Sequence, residues 1–457
     1  MKLFLPNHLL EPEPDVYLVG GSVRDYLMGR HPADLDLAVG TDAMGYAETL
    51  ARKINGRLVL LGKERFNLYR IVKGPVTIDV APLKGNDIAS DIEDRDFTIN
   101  GLACHLKDGR IIDCVGGIND LNNKRIRMIS NRIFEADPVR LLRAHRMAIR
   151  LGLYFTTETK RALAAHALRI RNAAGERIWT ELRLILDHRK SHAQILEMAE
   201  CGTLEAVLPE MTELRACPQN QYHRVDVWQH TLRSYHAVET LLKRPDEIVP
   251  PAGQPFVVSI PAEFKVLLKL AILLHDIGKP ACRVQDGSGR IHFYGHAVCG
   301  AALARRICRR LRISSRHSQW IEQMVTHHQW PLNLYLSQRG TGFKAKSLGR
   351  FLRQCGPLTP YVLLHAVADC LGKEDHENQA AYLEFIRKTM SIYFEKAAPP
   401  DQLPLLNGHD LQNRFALAPS PLIGTLLRRI EEARLSGIIE SRDQAFQMAA
   451  QLLEKKP

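Results

Sequence analysis

The 457-residue chain lacks the features that mark membrane and secreted proteins. No run of 18 apolar residues occurs, which argues against a transmembrane helix. The first fifteen residues, MKLFLPNHLLEPEPD, lack a signal-peptide pattern because Pro6 and Asn7 interrupt their apolar stretch. We therefore expect a cytoplasmic protein with no membrane partner.

The chain also lacks the cysteine spacing of zinc ribbons and disulfide scaffolds. Its nine cysteines are scattered from Cys104 to Cys370, and no C-x-x-C pair occurs among them. An odd number without a regular spacing predicts reduced, mostly packed thiols.

What the composition does contain is typical of a globular protein of several domains. Hydrophobic residues make up 45% and charged residues 25% of a chain long enough for two to four domains. The net charge of +12 and a pI near 9.3 favour a polyanionic partner such as nucleic acid.

The stretch from Val16 to Gly40, VYLVGGSVRDYLMGRHPADLDLAVG, predicts a strand, a glycine turn, a short helix and a second strand. Gly20 and Gly21 allow a sharp turn and a close approach to a ligand. Ser22 is the predicted N-cap of the helix and Gly29 its predicted end. The free amides of the first helical turn would favour an anion above the glycines.

In the second strand, Asp34 and Asp36 are two residues apart, so both carboxylates are predicted on one face. Their mutual repulsion would be relieved by a divalent cation, which can also stabilise a phosphate undergoing in-line attack. Taken alone, a Gly-Gly pair is typical of any turn and Asp-x-Asp of a solvated strand. Their succession within twenty residues favours a triphosphate cradle beside a metal site.

GGSVRD followed by DLDLAV resembles motif A of the class II nucleotidyltransferases, the family of tRNA CCA-adding enzymes and bacterial poly(A) polymerases. The resemblance implies that Asp34 and Asp36 are catalytic and bind Mg²⁺. It also implies a set of residues around the turn that hold the nucleotide triphosphate, namely Gly20, Gly21, Ser22, Arg24 and Asp25.

Further segments continue this resemblance. Apolar patterns predict a helix near Ala43–Ile54 and sheet strands at 57–61, 68–72 and 76–81. Asp79, in the last strand, either adds a third carboxylate to the metal site or caps the strand end. Arg95-Asp96 resembles motif B, which implies contacts to the ribose, although Asp94 stands where the family pattern has a second arginine. The segment DCVGGINDLNNKRIR resembles motif C.

Helical periodicity begins at Phe134, with Pro138 as the predicted first helical position. Asp137 and Arg140 resemble the pair in motif D, which implies selection of C or A by hydrogen bonds to the base edge. Arg143 lies one turn further along the same predicted helix and joins the predicted nucleotide-binding set.

The second half of the chain is rich in histidine, and the chain holds 19 in all, His223 among them. An ordered series of His230, adjacent His275-Asp276 and distant Asp369, each in an apolar helical pattern, resembles the HD phosphohydrolase superfamily. The resemblance implies that these four residues bind a divalent metal of unspecified identity. Lys279 could hold a phosphate oxygen, and a further set could complete a second metal or serve as acid and base: His296, His327 and His328.

Together these patterns predict an α+β protein with a nucleotidyltransferase head that has a small mixed β-sheet and flanking helices. We expect that head at 1–133, an all-α neck that selects RNA and nucleotide at 134–221, an HD-type helical bundle at 222–372, and a helical tRNA-binding part at 373–457. The partners implied by the resemblance are tRNA, CTP and ATP. The oligomeric state, the metal of the HD-type centre and its substrate are left open by the sequence.

Three functions fit these expectations. The first is addition of C, A or both to the 3′ end of tRNA, and the short connection from Pro82 to Ser90 favours a partial enzyme that adds only CC or only A. The second is a bacterial poly(A) polymerase. The third, from another class, is an HD-type phosphohydrolase whose N-terminal fold serves as an RNA-binding module.

Overall fold

The computed structural model describes residues 13–32, 34–61, 68–215, 217–218, 226–338, 345–373, 379–397 and 404–454. His223, the boundary expected between residues 221 and 222, and most of the N-terminal stretch lie outside these ranges. The chain divides into two compact units, one of Met1–Glu181 with Glu197–Val207 and the other of Leu182–Leu196 with Leu208–Pro457.

The first unit contains the β-sheet. In chain order its elements are β1 (Val16–Val19), α1 (Gly21–Leu27), β2 (Asp34–Val39), α2 (Ala43–Ile54), β3 (Arg57–Leu61), β4 (Leu68–Lys73), β5 (Val76–Pro82), α3 (Ile88–Glu93), β6 (Ala103–His105), β7 (Ile111–Ile112), α4 (Gly117–Asn122), β8 (Arg125–Ile126), α5 (Ile133–Ala136), α6 (Arg140–Leu151), β9 (Tyr154–Phe155), α7 (Thr157–His166), α8 (Gly175–Leu186), α9 (Ser191–Glu200) and α10 (Thr203–Val207). Helices α8 and α9 each include a boundary between the units.

The seven-stranded sheet has the order β3-β4-β5-β2-β1-β6-β7. Strands β2 and β5 pair in parallel and the other neighbours pair antiparallel. This mixed sheet confirms the predicted α+β class and the predicted positions of its first five strands.

The two faces of β2 have different roles because side chains alternate along a strand. Leu35, Leu37 and Val39 are buried in the core between the sheet and α2, where Leu50 is also fully buried. The alternate positions therefore present Asp34 and Asp36 on the opposite face.

The second unit is mainly helical. Its further elements are α11 (Val227–Lys243), α12 (Gln254–Ser259), α13 (Ala262–Leu274), β10 (Val284–Gln285), β11 (Ile291–His292), α14 (His296–Arg310), α15 (Ser315–His327), α16 (Trp330–Gln338), α17 (Ala345–Cys355), α18 (Thr359–Leu371), α19 (Gln379–Ile392), α20 (Gly408–Phe415), α21 (Pro421–Leu435) and α22 (Arg442–Glu454). No helix in the described part of the chain is long and apolar enough to span a membrane.

Helix α13 lies at the centre of this unit, since every residue from Val266 to Leu274 is buried. Helices α11 and α18 approach each other closely at Gly372, where a Cβ atom would lie 2.1 Å from Ser234 Oγ. This close packing places the metal-ligand candidates of three helices within reach of one another.

Candidate active site and metal centre

The glycine turn ends β1 and starts α1. Gly20, with φ of 69°, is the N-cap of the helix, so the predicted N-cap Ser22 is wrong. Instead the Ser22 hydroxyl donates to the backbone oxygen of Asp34 over 3.1 Å and accepts from the amide of Asp36 over 3.0 Å. Ser22 thereby fixes α1 to the strand that carries both carboxylates. The predicted helix end agrees with the left-handed backbone of Gly29.

The backbone at Gly20 lies against two predicted site residues. A Cβ atom there would be 2.8 Å from Nη1 of Arg95 and 4.0 Å from Oδ2 of Asp36. Only glycine combines this close approach with the left-handed backbone conformation.

Three carboxylates lie side by side on the sheet. Asp34 and Asp36 share one face of β2, and Asp79 lies directly opposite Asp36 across the parallel pairing of β2 with β5. Burial raises the pKa of Asp36, and the charge of Asp79 raises it further. Asp79 lies inside β5 and accepts two hydrogen bonds from Arg70, at 2.8 and 2.7 Å, so the alternative of a strand-end cap is wrong.

This excess of negative charge fits a divalent cation. Bringing carboxylates together at a partly buried site is unfavourable unless a proton or a cation compensates, and hard cations such as Mg²⁺ prefer carboxylate oxygens.

Two cavities of about 550 and 230 Å³ meet at Gly21, Asp36 and Arg143. Most of the predicted nucleotide-binding residues line them. The larger is lined in part by Gly21, Ser22, Arg24, Asp25, Asp34, Asp36 and Arg143. The smaller is lined in part by Gly20, Arg95, Asp96, Arg140 and Arg143. The structure thus brings together residues that are more than 100 positions apart in the chain.

Hydrogen bonds hold Arg95 and Asp96 in place. Arg95 donates twice to Oδ2 of the buried Asp91, at 2.9 and 2.6 Å. Asp96 Oδ1 accepts from Nδ2 of Asn100, and Oδ1 of Asn100 accepts from Nη1 of Arg24 over 2.6 Å. This chain of contacts joins the predicted ribose-binding pair to the glycine turn.

Asp94 has another environment. Its side chain is 66% exposed and pairs with Lys84 over 3.1 Å. The acidic substitution is therefore compatible with the fold, because it has a surface partner and needs no burial.

Helix α6 begins at Arg140, two residues after the predicted Pro138. Asp137 precedes it in an extended conformation and accepts a hydrogen bond from Arg177 over 2.8 Å. Burial would raise the pKa of Asp137, but Arg177 outweighs it and lowers the pKa below its usual value. Arg140 Nε is buried and has no hydrogen-bond partner among the described residues.

Glu181 organises the basic face of α6. Its Oε2 accepts from Arg146 over 2.5 Å and its Oε1 lies 3.7 Å from Arg143, which also lies 3.5 Å from Asp96. Sequence reasoning missed the positioning residues Asp91, Asn100, Arg177 and Glu181. Asn100 and Asp91 could have been found from their spacing of four residues from Asp96 and Arg95. The partners of Arg177 and Glu181 depend on helix packing.

The second unit brings six potential metal ligands together. Within the described residues they form two groups, one of His230, His275 and Asp369 and one of Asp276, His296 and His328, and the ligand atoms of each group lie within 4.8 Å of one another. His230 Nε2 lies 2.9 Å from Asp369 Oδ1, and His275 Nε2 lies 3.1 Å from Asp276 Oδ2. The second contact connects the two groups.

Backbone contacts orient three of these histidines. The Nδ1 atoms of His275, His296 and His328 lie 2.8, 2.8 and 2.6 Å from the carbonyl oxygens three residues earlier. A carbonyl can only accept, so Nδ1 of each ring carries a proton, and Nε2 is the atom that can bind a metal when the ring is neutral. This is the arrangement that second-shell contacts give metal-binding histidines.

The charges at this centre also fit a cation. Burial lowers the pKa of His275, but the charges and hydrogen bonds of Asp276 and Asp369 outweigh it and raise the pKa to about 10. Burial of the His328 ring lowers the pKa of His328 to about 3. Without a metal, a proton on His275 offsets part of the negative charge, and a divalent cation could take its place.

The remaining residues predicted for this centre differ in whether they lie near the donor groups. Lys279 Nζ lies 2.6 Å from Asp276 Oδ2. His327 lies outside both groups and packs against Trp330, with ring centroids 5.4 Å apart, so its expected role beside His328 is not supported. His365, which the sequence did not single out, is fully buried with its ring 5.1 Å from that of His275.

Three family models match successive parts of the chain. Residues 16–127 match the poly A polymerase head domain, residues 152–214 match the probable RNA and SrmB-binding site of polymerase A, and residues 227–373 match the HD domain.

Two curated relatives match nearly the whole chain. The A-adding tRNA nucleotidyltransferase of Deinococcus radiodurans is 31% identical over 97% of each chain. The CC-adding tRNA nucleotidyltransferase of Thermus thermophilus is 30% identical over 94% of this chain and 92% of its own.

The fold also matches solved structures. The Thermotoga maritima CCA-adding enzyme complexed with tRNA superposes with a TM-score of 0.68, with 22% identity over 96% of this chain and 91% of that chain. Neither a poly(A) polymerase nor a separate hydrolase is favoured by these likenesses. The chain belongs to the tRNA nucleotidyltransferase family and is a nucleotidyltransferase with an HD domain.

Proposed function

We propose that this protein adds C or A from CTP or ATP to the 3′ end of tRNA as a partial enzyme, making only the CC step or only the A step. The observation that carries the proposal is the connection between β5, which ends at Pro82, and α3, which begins at Ile88. Family resemblance implies a flexible loop there in enzymes that switch from C to A. Five residues, 83–87, with Leu83 and Lys84 bonded to Val39 and Asp91, leave little room for such a loop.

The residues of the two adjoining cavities have distinct roles in this proposal. Asp34 and Asp36 would hold a divalent cation, proposed to be Mg²⁺, which when bound stabilises charge on the reacting phosphate. The glycine turn with Ser22, Arg24 and Asp25 would position the triphosphate, so that the RNA 3′-hydroxyl attacks the α-phosphate and pyrophosphate leaves.

We assign selection of the nucleotide to a second group of residues. Arg95 and Asp96 would contact the ribose. Arg140 and Arg143, which line the smaller cavity, would complement the base edge together with Asp137, which precedes α6 and is not among the residues that line the two cavities. Aspartate accepts and arginine donates hydrogen bonds.

The test offers purified protein three tRNA transcripts, ending before CCA, after C and after CC, with labelled CTP or ATP. An A-adder should extend only the transcript ending in CC, and only with ATP. A CC-adder should extend the two shorter transcripts with CTP and stop after the second C. Synthesis of the whole CCA end by this protein would overturn the partial assignment, and long A tails on unrelated RNA would overturn the tRNA assignment.

The glycine turn gives a matched pair of variants. Gly20→Ala should lower the rate of nucleotide addition about 10²-fold, because the new Cβ displaces Arg95 at the cradle and small misplacements of this kind are costly. Gly29→Ala introduces the same left-handed strain, at φ of 70°, but meets no atom within 4 Å. Equal losses of activity in the two variants would show that strain alone, and not the cradle, explains the effect.

A second candidate function is favoured by the six-donor centre of the HD domain. We infer metal-dependent hydrolysis of a phosphate ester, with a divalent metal held by His230, His275, Asp276 and Asp369. His296 and His328 would bind a second cation together with Asp276. Lys279 would position a phosphate oxygen.

We further propose that the chain works in the cytoplasm in four regions: the head at 1–133, the neck at 134–221, the HD bundle at 222–372 and a tRNA-binding part at 373–457. The last region is supported by its exposed Arg428 and Arg429, which line a cavity of about 310 Å³ together with exposed Lys346 and Arg350 of the HD bundle. A polyphosphate backbone would suit such a surface.

A further inference from the structure

The largest of the cavities described, about 690 Å³, lies in the second unit beside the metal centre. We call it the cationic cleft and define it by Arg233, Arg244, Lys373, His192, His236 and Glu247. None of these residues belongs to the two donor groups. The proposed transferase and hydrolase roles therefore leave the cleft unexplained.

The charges of the cleft favour an anion. Among the described residues that line it are three permanent cations, Arg233, Arg244 and Lys373, and one carboxylate, Glu247, which pairs with Arg244 over 2.9 Å. Arg233 and Arg244 are both exposed, so neither guanidinium has to leave a buried position to reach a ligand. Guanidinium groups match phosphate oxygens well because they can donate two parallel hydrogen bonds.

The shape of the cleft favours a small ligand over an extended chain. Its volume lies within the range of small-molecule sites. The side chains of Leu241 and Ile248 form an apolar part of the cleft wall. The ring centroids of His192 and His236, which also line the cleft, lie 4.5 Å apart. Burial lowers the pKa of His192, and the neighbouring His236 lowers it further. A neutral imidazole beside aliphatic side chains suits a flat, weakly polar ring.

Lys373 connects the cleft to the metal centre. Its ammonium lies 3.3 Å from Asp369 Oδ2, while Oδ1 of the same carboxylate lies 2.9 Å from His230. A phosphate bound in the cleft would therefore lie one side chain away from a proposed metal ligand.

We propose that the cationic cleft is a binding site for a nucleoside monophosphate. The phosphate is held by Arg233, Arg244 and Lys373, and the base lies against Leu241, Ile248 and the His192–His236 pair. This site goes beyond the proposed function, because ligand binding here needs neither nucleotide addition nor hydrolysis.

The test maps the site on the full chain with 8-azido-AMP as the probe, followed by photolysis and identification of labelled peptides. We expect labelling of peptides between residues 192 and 248 that excess AMP suppresses. Inorganic phosphate should suppress it at higher concentration and adenosine should not. Suppression by adenosine but not by phosphate would overturn the assignment of the phosphate to the arginines.

The variant Arg233→Gln with Arg244→Gln should require about tenfold or more AMP for half-maximal suppression, as expected when charged hydrogen bonds to the ligand are lost. The matched control is Arg306→Gln with Arg316→Gln, which removes the same charge from exposed positions of the second unit that line neither the cleft nor a proposed binding surface. Labelling confined to peptides of the first unit, or equal suppression in both variants, would overturn the proposal. Because nucleotide addition is measured separately, failure of this site leaves the proposed transferase function standing.

Discussion

Replacing Asp34 and Asp36 with asparagine is expected to lower the rate of nucleotide addition by about 10³-fold or more, since charge stabilisation by a bound cation is worth several kcal/mol. Asparagine keeps the shape of each side chain but removes the charge that holds the cation. The measurement is single-turnover incorporation of labelled ATP or CTP into the tRNA transcript that the wild-type protein extends.

The stability of the single variant Asp36→Asn provides an independent readout. Burial and the charge of Asp79 raise the pKa of Asp36, so the ionised carboxylate is unfavourable in the absence of a cation. Asp36→Asn should therefore leave the melting temperature of metal-free protein unchanged or higher. Glu48→Gln, an exposed change on α2, is the charge control and should retain full activity. Substantial incorporation by the Asp34→Asn, Asp36→Asn protein would contradict the assigned roles.

The second large effect is expected at the HD centre. Asp276→Asn should abolish tight binding of a divalent metal and lower phosphate-ester hydrolysis about 10²-fold or more, because one carboxylate lies near His275, His296 and Lys279 at once. Metal content after chelation and reloading, and release of phosphate from a chromogenic ester, provide the two measurements.

Nucleotide addition separates this effect from unfolding. Addition by Asp276→Asn should stay within about twofold of wild type, because the carboxylates assigned to transfer lie in the other unit. His292→Gln is the control, since this partly exposed histidine pairs with Asp286 and belongs to neither donor group. If the Asp276→Asn protein keeps its full metal content, the assignment of Asp276 as a metal ligand is wrong. Loss of both activities would indicate a structural role instead.

Features that depend on local periodicity were predictable from the sequence. Strand alternation placed Asp34 and Asp36 on one face, and the glycine pair located the turn that Gly20 makes with φ of 69°. The predicted helix Ala43–Ile54 was correct at both ends. In each case the spacing of neighbouring residues in the chain was enough to determine the result.

Local signals were less reliable where two candidates lay side by side. Ser22 has a good N-cap side chain, yet the N-cap is Gly20, two residues earlier, and the Ser22 hydroxyl bonds to β2. His327 and His328 are adjacent, but only His328 faces the donor groups, because successive residues point about 100° apart on a helix. Packing of the helix decided which of them could bind a metal.

The sequence by itself determined the residue types and the order of both sites: the paired aspartates after a glycine turn, and His, His-Asp and Asp on separate helices. Only the tertiary structure placed Asp79 beside Asp36, connected Arg24 to Asp96 through Asn100, and brought His192 next to His236. The physical reason is that alternation and helical periodicity act between near neighbours in the chain. Strand pairing and helix packing join distant segments, and their partners are selected by burial and shape over the whole unit.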